Sequence, residues 1–277
     1  MTQADYSGEE AARAIAVPTA TDDKYTRGVL GVLTGSEQYP GAAVLGVEAA
    51  SRTGVGMIRY LGPERAAAMV LARRPEVVVG DGRVQAWLIG SGTAPDHDDD
   101  ERARLLALLG QGLPTVLDAG ALSLVPDVSG PTVITPHFGE LVPVLQAVGV
   151  DASKAQIAAD PQRWALRAAE ATGVTVLLKG AATVVADASG LRFLVRAGQP
   201  WLATAGSGDV LGGVLGALLA TNGPAIAERP ALLAELAAAA AWIHGEAGRV
   251  AADGGPVQAL DVAEAVPAVV RRLLAAR

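Results

Sequence analysis

The sequence predicts an α/β fold, a three-layer sandwich in which helices cover both faces of a mainly parallel sheet. Short apolar segments of strand length alternate with longer segments rich in Ala and Leu through most of the 277 residues. The 33 glycines are spread over the turns between these segments. Several apolar segments are followed at once by polar or glycine-rich motifs. Such motifs gather at the carboxyl ends of parallel strands, where open α/β sheets bind ligands.

The first half of the chain is interpreted as a polar lead-in, residues 1–23, followed by alternating strands and helices. Apolar runs bounded by turn residues predict strands at 28–33, 56–61, 76–79, 86–89 and 115–117. Segments rich in Ala and Leu predict helices at 9–16, 42–53, 64–72 and 102–109. His97 lies in the acidic run 96–101, which is typical of a solvated loop and a helix start.

The second half continues the alternation without a repeat or a linker, so we expect a single domain over 1–277. Strands are expected at 132–134, 174–178, 184–186 and 190–195, the last forming a hairpin-like edge. Helices are expected at 153–172, at 214–220, at 230–252 and at 261–274. Asn222 and Gly223 form the expected C-cap of the second of these helices, and Asp261 is expected to cap the last.

Composition and charge exclude several partners and chemistries. Hydrophobic residues make up 51% of the chain and aromatic residues only 4%, which predicts a core of Ala, Val and Leu. The lack of cysteine excludes disulfides, thiol catalysis and Cys-ligated metal. The net charge is −7, and no basic stripe points to nucleic acid. The polar N-terminus and the lack of an unbroken apolar run of ~18 residues argue against a signal peptide and a membrane span. We therefore expect a soluble cytoplasmic protein.

The segment 203–213 is the strongest candidate for a functional site. Its glycines lie where a loop becomes a helix N-terminus, and unpaired N–H groups together with the helix dipole favour an anion there. Asp209 has two interpretations, which its spacing leaves open. It is either an ordinary N-cap or a general base that takes a hydroxyl proton beside a transferring phosphoryl group.

Other polar groups follow predicted strands. Lys179 ends a buried strand and needs a partner, because an unpaired buried ammonium is costly, and a phosphate would supply one. Asp118 either caps the following turn or orients a substrate. Gly90-Ser91-Gly92 is either a plain turn or a ligand-binding loop. A lone histidine, such as His137 or His244, is more often a packing or capping residue than a catalytic one.

Gly206-Ser207-Gly208-Asp209 resembles the Gly-x-Gly-Asp signature of ribokinase-like kinases, whose aspartate is the catalytic base. The longer string Ala-Thr-Ala-Gly-Ser-Gly-Asp-Val-Leu, which begins at Ala203, resembles one branch, the ADP- or ATP-dependent NAD(P)H-hydrate dehydratases. Tyr-Pro-Gly-Ala-Ala from Tyr39 and Thr-Pro-His-x-Gly-Glu from Thr135 are similar to the same branch, whereas related vitamin-precursor kinases carry asparagine at the histidine. The resemblance covers about residues 24–270.

The resemblance implies a ribokinase-like fold and the ADP- or ATP-dependent dehydration of the S-epimer of NADH or NADPH hydrate, which restores the reduced cofactor. Asp209 would be the catalytic base, and Glu140 would help to order Mg²⁺ through water, with no direct metal ligand. The implied substrate contacts are Ala42, Gly92, His137 and Asp209. The implied nucleotide contacts are Lys179, Gly180, Ala181, Ala182, Thr183, Gly206, Ser207 and Gly208. Ser91 replaces a proline that is usual in the family, which should loosen its loop.

Two alternatives belong to other functional classes. A small-molecule kinase of the thiamine-precursor type would share the base and the anion site, but His137 and the loop 39–42 favour the dehydratase. A non-catalytic nucleotide-binding regulator would not need Asp209, Lys179 and Glu140 together. The resemblance also implies a homo-oligomer, a tetramer, and a stand-alone form without the epimerase domain that many bacterial relatives carry in front.

Overall fold

The computed structural model describes residues 5–277, so residues 1–4 of the predicted lead-in lie outside the described residues. The strands are β1 (Val29–Leu33), β2 (Met57–Tyr60), β3 (Val78–Val79), β4 (Ala86–Ile89), β5 (Thr115–Leu117), β6 (Thr132–Ile134), β7 (Thr175–Leu178), β8 (Thr183–Ala186) and β9 (Arg192–Val195). The helices are α1 (Gly8–Arg13), α2 (Gly41–Thr53), α3 (Glu64–Arg73), α4 (Asp99–Leu109), α5 (Phe138–Ala147), α6 (Lys154–Ala159), α7 (Pro161–Thr172), α8 (Ser207–Thr221), α9 (Gly223–Glu228), α10 (Leu232–Ala252) and α11 (Ala259–Ala275). Ala119–Asp127 and Pro200–Leu202 are 3₁₀ helices. None of these helices is long and apolar enough to cross a membrane.

The strand order confirms the predicted, mainly parallel sheet. The described strands lie in the order β3-β2-β1-β4-β5-β6-β7-β8-β9, and all pairs from β3 to β7 are parallel. The strands β7, β8 and β9 pair antiparallel, which gives the hairpin edge that the sequence predicts. The parallel arrangement places the carboxyl ends of β1, β4, β5, β6 and β7 side by side along one edge of the sheet.

Alternate strand residues divide the core between the two faces of the sheet. On β1, Leu30 and Val32 belong to the buried cluster that includes residues of α2, α8, α10 and α11. Val29 and Leu33 belong to the other cluster, with residues of α4, α5 and α7. This period of two follows because successive side chains of a strand point to opposite faces. Helices therefore cover both faces, and the predicted three-layer sandwich is confirmed.

The helix α8 is the buried helix predicted after the glycine-rich segment, and it packs closely against α2. A β-carbon placed on Gly213 would lie 2.2 Å from the carbonyl oxygen of Gly46. Only glycine therefore permits this approach of the two backbones. The close packing fixes the N-terminus of α8 relative to α2 and to the loop 35–40 that precedes α2.

Several predicted helix boundaries are wrong. The stretch 153–172 is two helices, because Pro161 lacks an N–H and disfavours helical geometry at Asp160, whose φ is −144°. Asn222 is the C-cap of α8, but Gly223 begins the unpredicted helix α9. The N-cap of α11 is Gln258, and the Asp261 carboxylate accepts the backbone N–H of Gln258 at 3.0 Å.

The interpretation of His97 as part of a solvated loop is wrong for its side chain, which is only 3% exposed. Its Nδ1 lies 3.3 Å from Glu101 Oε2, one helical turn further along the chain. The imidazole therefore packs beside the first turn of α4, although the neighbouring acidic residues are exposed as expected.

Candidate active site

Polar residues that follow three of the parallel strands meet at one edge of the sheet. Ser91 follows β4 after Gly90, Asp118 follows β5 and Lys179 follows β7. Backbone hydrogen bonds join the loops that follow neighbouring strands. The N–H of Gly35, after β1, donates to the carbonyl of Ser91, after β4, at 2.7 Å, and the N–H of Lys179, after β7, donates to the carbonyl of Pro136, after β6, at 2.8 Å. The N-terminus of α8 adjoins the same residues, because the Ser91 hydroxyl donates to a carboxylate oxygen in its first turn.

That carboxylate belongs to Asp209, the third residue of α8, so the N-cap interpretation of Asp209 is wrong. The N-cap is Gly206, which has φ 86° and no side-chain capping bond. Asp209 is partly buried, and its Oδ1 accepts the hydrogen bond from Ser91. Burial raises the pKa of Asp209; the Ser91 hydrogen bond opposes this rise, Asp118 adds to it and Lys179 opposes it. A carboxylate whose pKa is raised accepts a proton more readily, which suits a general base.

Lys179 has a carboxylate partner within the protein, so its charge is compensated before any phosphate binds. Its Nζ lies 2.9 Å from Asp118 Oδ1 and 3.7 Å from Glu140 Oε2. The Thr135 hydroxyl donates to the same oxygen of Asp118 at 2.8 Å. Asp118 is at the N-cap position of the 3₁₀ helix after it, but its side chain makes no capping bond, so the interpretation that its carboxylate caps this turn is wrong. Burial lowers the pKa of Lys179, but Asp118 and Glu140 outweigh this effect, and the pKa lies above its ordinary value.

The structure brings Lys179 next to the glycines at the start of α8. A β-carbon on Gly208 would lie 3.5 Å from Lys179 Nζ and 4.0 Å from Asp118 Oδ2. A β-carbon on Gly206 would lie 2.4 Å from Leu45 Cδ1 and 3.7 Å from Asp209 Oδ2. Gly208 therefore keeps a side chain out of the space beside the Lys179 ammonium at the first N–H groups of a helix. Such a space suits the oxygens of a phosphate.

His137 is the N-cap of α5 and is also exposed at the site. Its Nδ1 accepts hydrogen bonds from the backbone N–H groups of Gly139 and Glu140, both at 3.0 Å. Glu140 Oε2 accepts the backbone N–H of His137 at 2.8 Å and completes a capping box. Because Nδ1 accepts, the neutral ring carries its proton on Nε2. The side chain is 59% exposed, so a substrate contact through this N–H is compatible with the capping role and stays a prediction.

The predicted substrate and nucleotide segments both border the strand ends. Gly92 has φ 73°, and a β-carbon there would lie 2.5 Å from the β-carbon of Ala42. Glycine at this position therefore lets the loop after β4 approach the start of α2. The segment 180–182 joins β7 to β8 and is partly exposed, and the Phe138 ring would lie 2.8 Å from a β-carbon on Gly180. What each segment binds stays a prediction.

Two polar contacts of the site are missed by the sequence reasoning. For Ser91 the sequence indicates a turn or a ligand-binding loop, and the resemblance implies a looser loop, but neither indicates that its hydroxyl bonds to Asp209. For His244 it suggests packing against the glycine-rich helix, whereas its Nε2 lies 3.1 Å from the hydroxyl of Ser207, and both side chains are buried. The sequence feature that marks Ser91 as a site residue is its position just after a strand, which it shares with Asp118 and Lys179. His244 is on a long Ala-rich helix and gives no comparable signal.

The stability of the protein is expected to fall between pH 6.5 and pH 4 because of His244. Burial lowers the pKa of His244 from 6.5 to about 4. As the pH falls through this window the unfolded chain binds a proton that the folded protein does not, so the free energy of unfolding decreases. The full effect is on the order of 3 kcal/mol. Urea unfolding near neutral pH and near pH 4 measures the loss.

The control is the variant His244→Gln, which keeps a polar side chain but cannot take up the proton. All other titratable groups are common to both proteins, so the difference between the two losses isolates His244. The variant should lose clearly less stability on acidification. An equal loss in both proteins would contradict the assignment.

A mainly parallel sheet with a glycine-bounded helix N-terminus at the carboxyl ends of its strands is the architecture of ribokinase-like α/β proteins. The crystal structure of the ADP/ATP-dependent NAD(P)H-hydrate dehydratase from Bacillus subtilis has this fold, with a TM-score of 0.84 and 24% identity over 97% of this chain and 98% of that one. The profile of the NAD(P)H-hydrate dehydratase family matches residues 30–268, and the chain belongs to that family.

Individual relatives agree with this assignment. The bifunctional NAD(P)H-hydrate repair enzyme of Mycobacterium tuberculosis is 46% identical over 75% of this chain, which covers 44% of that enzyme. The chain thus spans less than half the length of this relative. The ADP-dependent (S)-NAD(P)H-hydrate dehydratase of Xanthomonas campestris is 34% identical over 74% of this chain and 76% of its own length. A second crystal of the Bacillus subtilis enzyme, grown with ATP and Mg²⁺ and soaked with CoA, has a TM-score of 0.80 and 26% identity over 96% of this chain and 97% of that one.

Proposed function

We propose that the protein catalyses the ADP-dependent dehydration of the S-epimer of NADH or NADPH hydrate, with ATP as an alternative donor. The observation that carries this proposal is the position of Asp209 beside Lys179 at the glycine-bounded N-terminus of α8. A general base next to a phosphate site is what phosphoryl transfer to a hydroxyl group requires. Family membership and the name of the Xanthomonas relative support a hydrated nicotinamide as the hydroxyl compound.

In the proposed reaction Asp209 takes the proton of the ring hydroxyl while the oxygen of that hydroxyl forms a bond to the terminal phosphorus of ADP. The phosphorus–oxygen bond to AMP breaks, and AMP keeps the bonding electrons. The N–H groups at the start of α8 and the ammonium of Lys179 stabilise the charge on the transferring group. In the second step the carbon–oxygen bond breaks with help from the ring nitrogen. Phosphate leaves with the electrons of that bond, and the adjacent carbon then loses a proton to water, so that the electrons of its C–H bond form the double bond.

The charges around Lys179 favour a nucleotide that carries Mg²⁺. The carboxylates of Asp118, Glu140 and Asp209 all act on this one ammonium, and this excess of negative charge opposes a bare polyphosphate. In the described part of the chain no group of three or more His, Asp or Glu side chains could hold a metal directly. Glu140 already accepts the N–H of His137, so its carboxylate suits a contact through water to a cation on the phosphates. That cation would neutralise phosphate charge during transfer.

The two ligands would lie on opposite sides of Asp209. We place the hydrated nicotinamide against Ala42, Gly92 and the Nε2–H of His137. We place the nucleotide along residues 179–183 and at Gly206, Ser207 and Gly208. Support comes from the approach of Gly92 to Ala42 and from the 3.5 Å between Lys179 Nζ and a β-carbon placed on Gly208.

The products distinguish this function from that of a thiamine-precursor kinase. Phosphorus NMR of a reaction with the hydrate, ADP and Mg²⁺ should show one AMP and one free phosphate for each reduced nicotinamide formed. A kinase would instead accumulate a stable phosphate ester. An ester without free phosphate, or phosphorylation of a hydroxymethylpyrimidine while the hydrate is left unchanged, would overturn the dehydratase proposal.

ADP is expected to raise the melting temperature, whereas adenosine is not. The anion site holds phosphate, and only a ligand that binds the folded state stabilises it. At a concentration of about 100 times its Kd, ADP should add about 2.7 kcal/mol to the free energy of unfolding. Thermal unfolding monitored by circular dichroism provides the measurement, with AMP as an intermediate ligand. Equal stabilisation by adenosine would show that the phosphate site is not at Lys179 and Gly208.

We also propose a single domain over the chain, which the continuous sheet from β3 to β9 supports. The tetramer and the cytoplasmic location implied by the resemblance stay predictions. Size-exclusion chromatography with light scattering would test the first of these.

A further inference from the structure

Ser91 connects the proposed base to the proposed substrate loop. Its hydroxyl donates to Asp209 Oδ1, a residue 118 positions further along the chain. Its backbone carbonyl accepts the N–H of Gly35 at 2.7 Å, at the start of the loop that leads into α2. Ser91 is only 3% exposed, so water does not compete freely for its hydroxyl. A buried donor aimed at a single carboxylate oxygen constrains the orientation of that carboxylate.

The two carboxylate oxygens of Asp209 differ in their surroundings, so the hydrogen bond from Ser91 gives them different roles. Oδ1 is held by Ser91. Oδ2 lies on the side of Gly206, 3.7 Å from where a β-carbon of that glycine would be. A general base must be within hydrogen-bonding reach of the proton that it removes. Among the described residues no side chain or N–H group donates to Oδ2, so Oδ2 is the oxygen that remains available to a reacting hydroxyl.

We propose that Ser91 is a positioning residue of this site, whose hydroxyl fixes Oδ1 of Asp209 and leaves Oδ2 as the oxygen that receives the substrate's proton. This inference rests on the proposed role of Asp209 as the base. It assigns the serine of the Gly90-Ser91-Gly92 loop to the orientation and ionisation of that base.

The same hydrogen bond also favours ionisation of Asp209, because a hydroxyl that donates to a carboxylate stabilises its charged form. The elements around Asp209 carry these titratable groups: Glu48 and Arg52 on α2, Asp118 after β5, Glu140 on α5, Lys179 after β7, Glu235, His244, Glu246 and Arg249 on α10, and Asp261, Glu264, Arg271 and Arg272 on α11. Of these, Asp118 and Lys179 act directly on Asp209, with opposite signs. Without the Ser91 hydroxyl, Lys179 alone would oppose the rise in the pKa of Asp209 that burial and Asp118 cause.

The first test titrates Asp209 itself and does not depend on turnover. In the protein with isotope-labelled aspartate carboxyl groups, the Asp209 signal is the one that Asp209→Asn removes. We expect Ser91→Ala to move its titration midpoint upward by roughly one to two pH units, the size of a lost hydrogen bond to a charged group. Ser91→Cys, which keeps the volume with a weaker donor, should give a smaller shift. Ser91→Cys also provides the test if the Ser91→Ala variant does not fold. An unchanged midpoint would overturn the proposal.

The second test is the pH profile of turnover in the full chain. The acidic limb of kcat should move to higher pH in Ser91→Ala by the same amount as the titration, while thermal stabilisation by ADP is retained. Ser91→Thr, which keeps the hydroxyl, should restore the original limb. The matched control is Ser189→Ala, because the hydroxyl of the exposed Ser189 donates to Asp187 at 2.7 Å, and it should match the unmodified protein. A uniform loss at all pH values would indicate a merely structural role. If the unmodified protein did not turn over the hydrate, the proposed function would fail, and the titration would still decide the role of Ser91.

Discussion

Replacing Asp209 by asparagine is expected to lower dehydratase turnover by at least ~10²-fold and by up to ~10⁴-fold, the range for loss of a general base. Asparagine can still accept the hydrogen bond from Ser91, so the local geometry is retained while the proton acceptor is removed. Turnover of the separated S-epimer with saturating ADP, with Asp187→Asn as a surface control, measures the effect.

The stability of this variant separates loss of chemistry from loss of fold. Burial raises the pKa of Asp209, so its ionised form is disfavoured in the folded protein at neutral pH. Asparagine removes that charge, and the melting temperature should therefore stay the same or rise. A fall in turnover of less than ~10²-fold would contradict the role of Asp209 as base. A fall accompanied by unfolding would contradict the structural argument.

Replacing Lys179 by methionine is expected to lower both activity and stability. Asp118, whose side chain is 5% exposed, would keep only the Thr135 hydroxyl as a partner. Leaving a buried charge without its partner costs about 3 kcal/mol. Turnover should also fall by about 10²-fold or more, since the ammonium would no longer stabilise the transferring phosphoryl group. Urea unfolding and turnover with ADP measure the two effects.

A double variant separates the two roles of Lys179. Adding Asp118→Asn to Lys179→Met removes the unpaired charge, so stability should recover while turnover stays low. Lys154→Met, at an exposed lysine on α6, is the control for removal of a positive charge. If the double variant regained turnover as well as stability, Lys179 would serve only to compensate Asp118, and the phosphate role would be wrong.

The sequence predicts the strands and most helices because each is a local pattern of apolar residues and turn residues. The break at Asp160 and Pro161 is itself visible in the sequence, but the long Ala-rich stretch around it favours one helix. Helix α9 is short and begins at Gly223, inside the pair that the sequence marks as the end of α8, so nothing in the local pattern indicates a new helix there. Such boundaries depend on packing that no local pattern records.

The site is predictable in its parts but not in its pairings. The glycine-rich helix start and the lysine at a strand end are local features, and the structure brings them together. Whether Asp209 caps the helix depends on the backbone of Gly206, whose φ is 86°. The partners of Lys179 and Asp209 come from connections 61 and 118 residues away, so they follow only from the strand order. With that order known, Ser91 and Asp118 are natural candidates, because both follow strands next to one another.

If the site works as proposed, nucleotide-dependent repair of the hydrated cofactor occurs at Asp209. Its most direct test is to incubate the separated S-epimer of NADH hydrate with the protein, ADP and Mg²⁺, and to follow the absorbance of the reduced nicotinamide. The unmodified protein should restore this absorbance with ADP or ATP but not without a nucleotide, and Asp209→Asn should not restore it. Recovery that needs no nucleotide, recovery at an equal rate in Asp209→Asn, or no recovery by the unmodified protein with either nucleotide would contradict the claim.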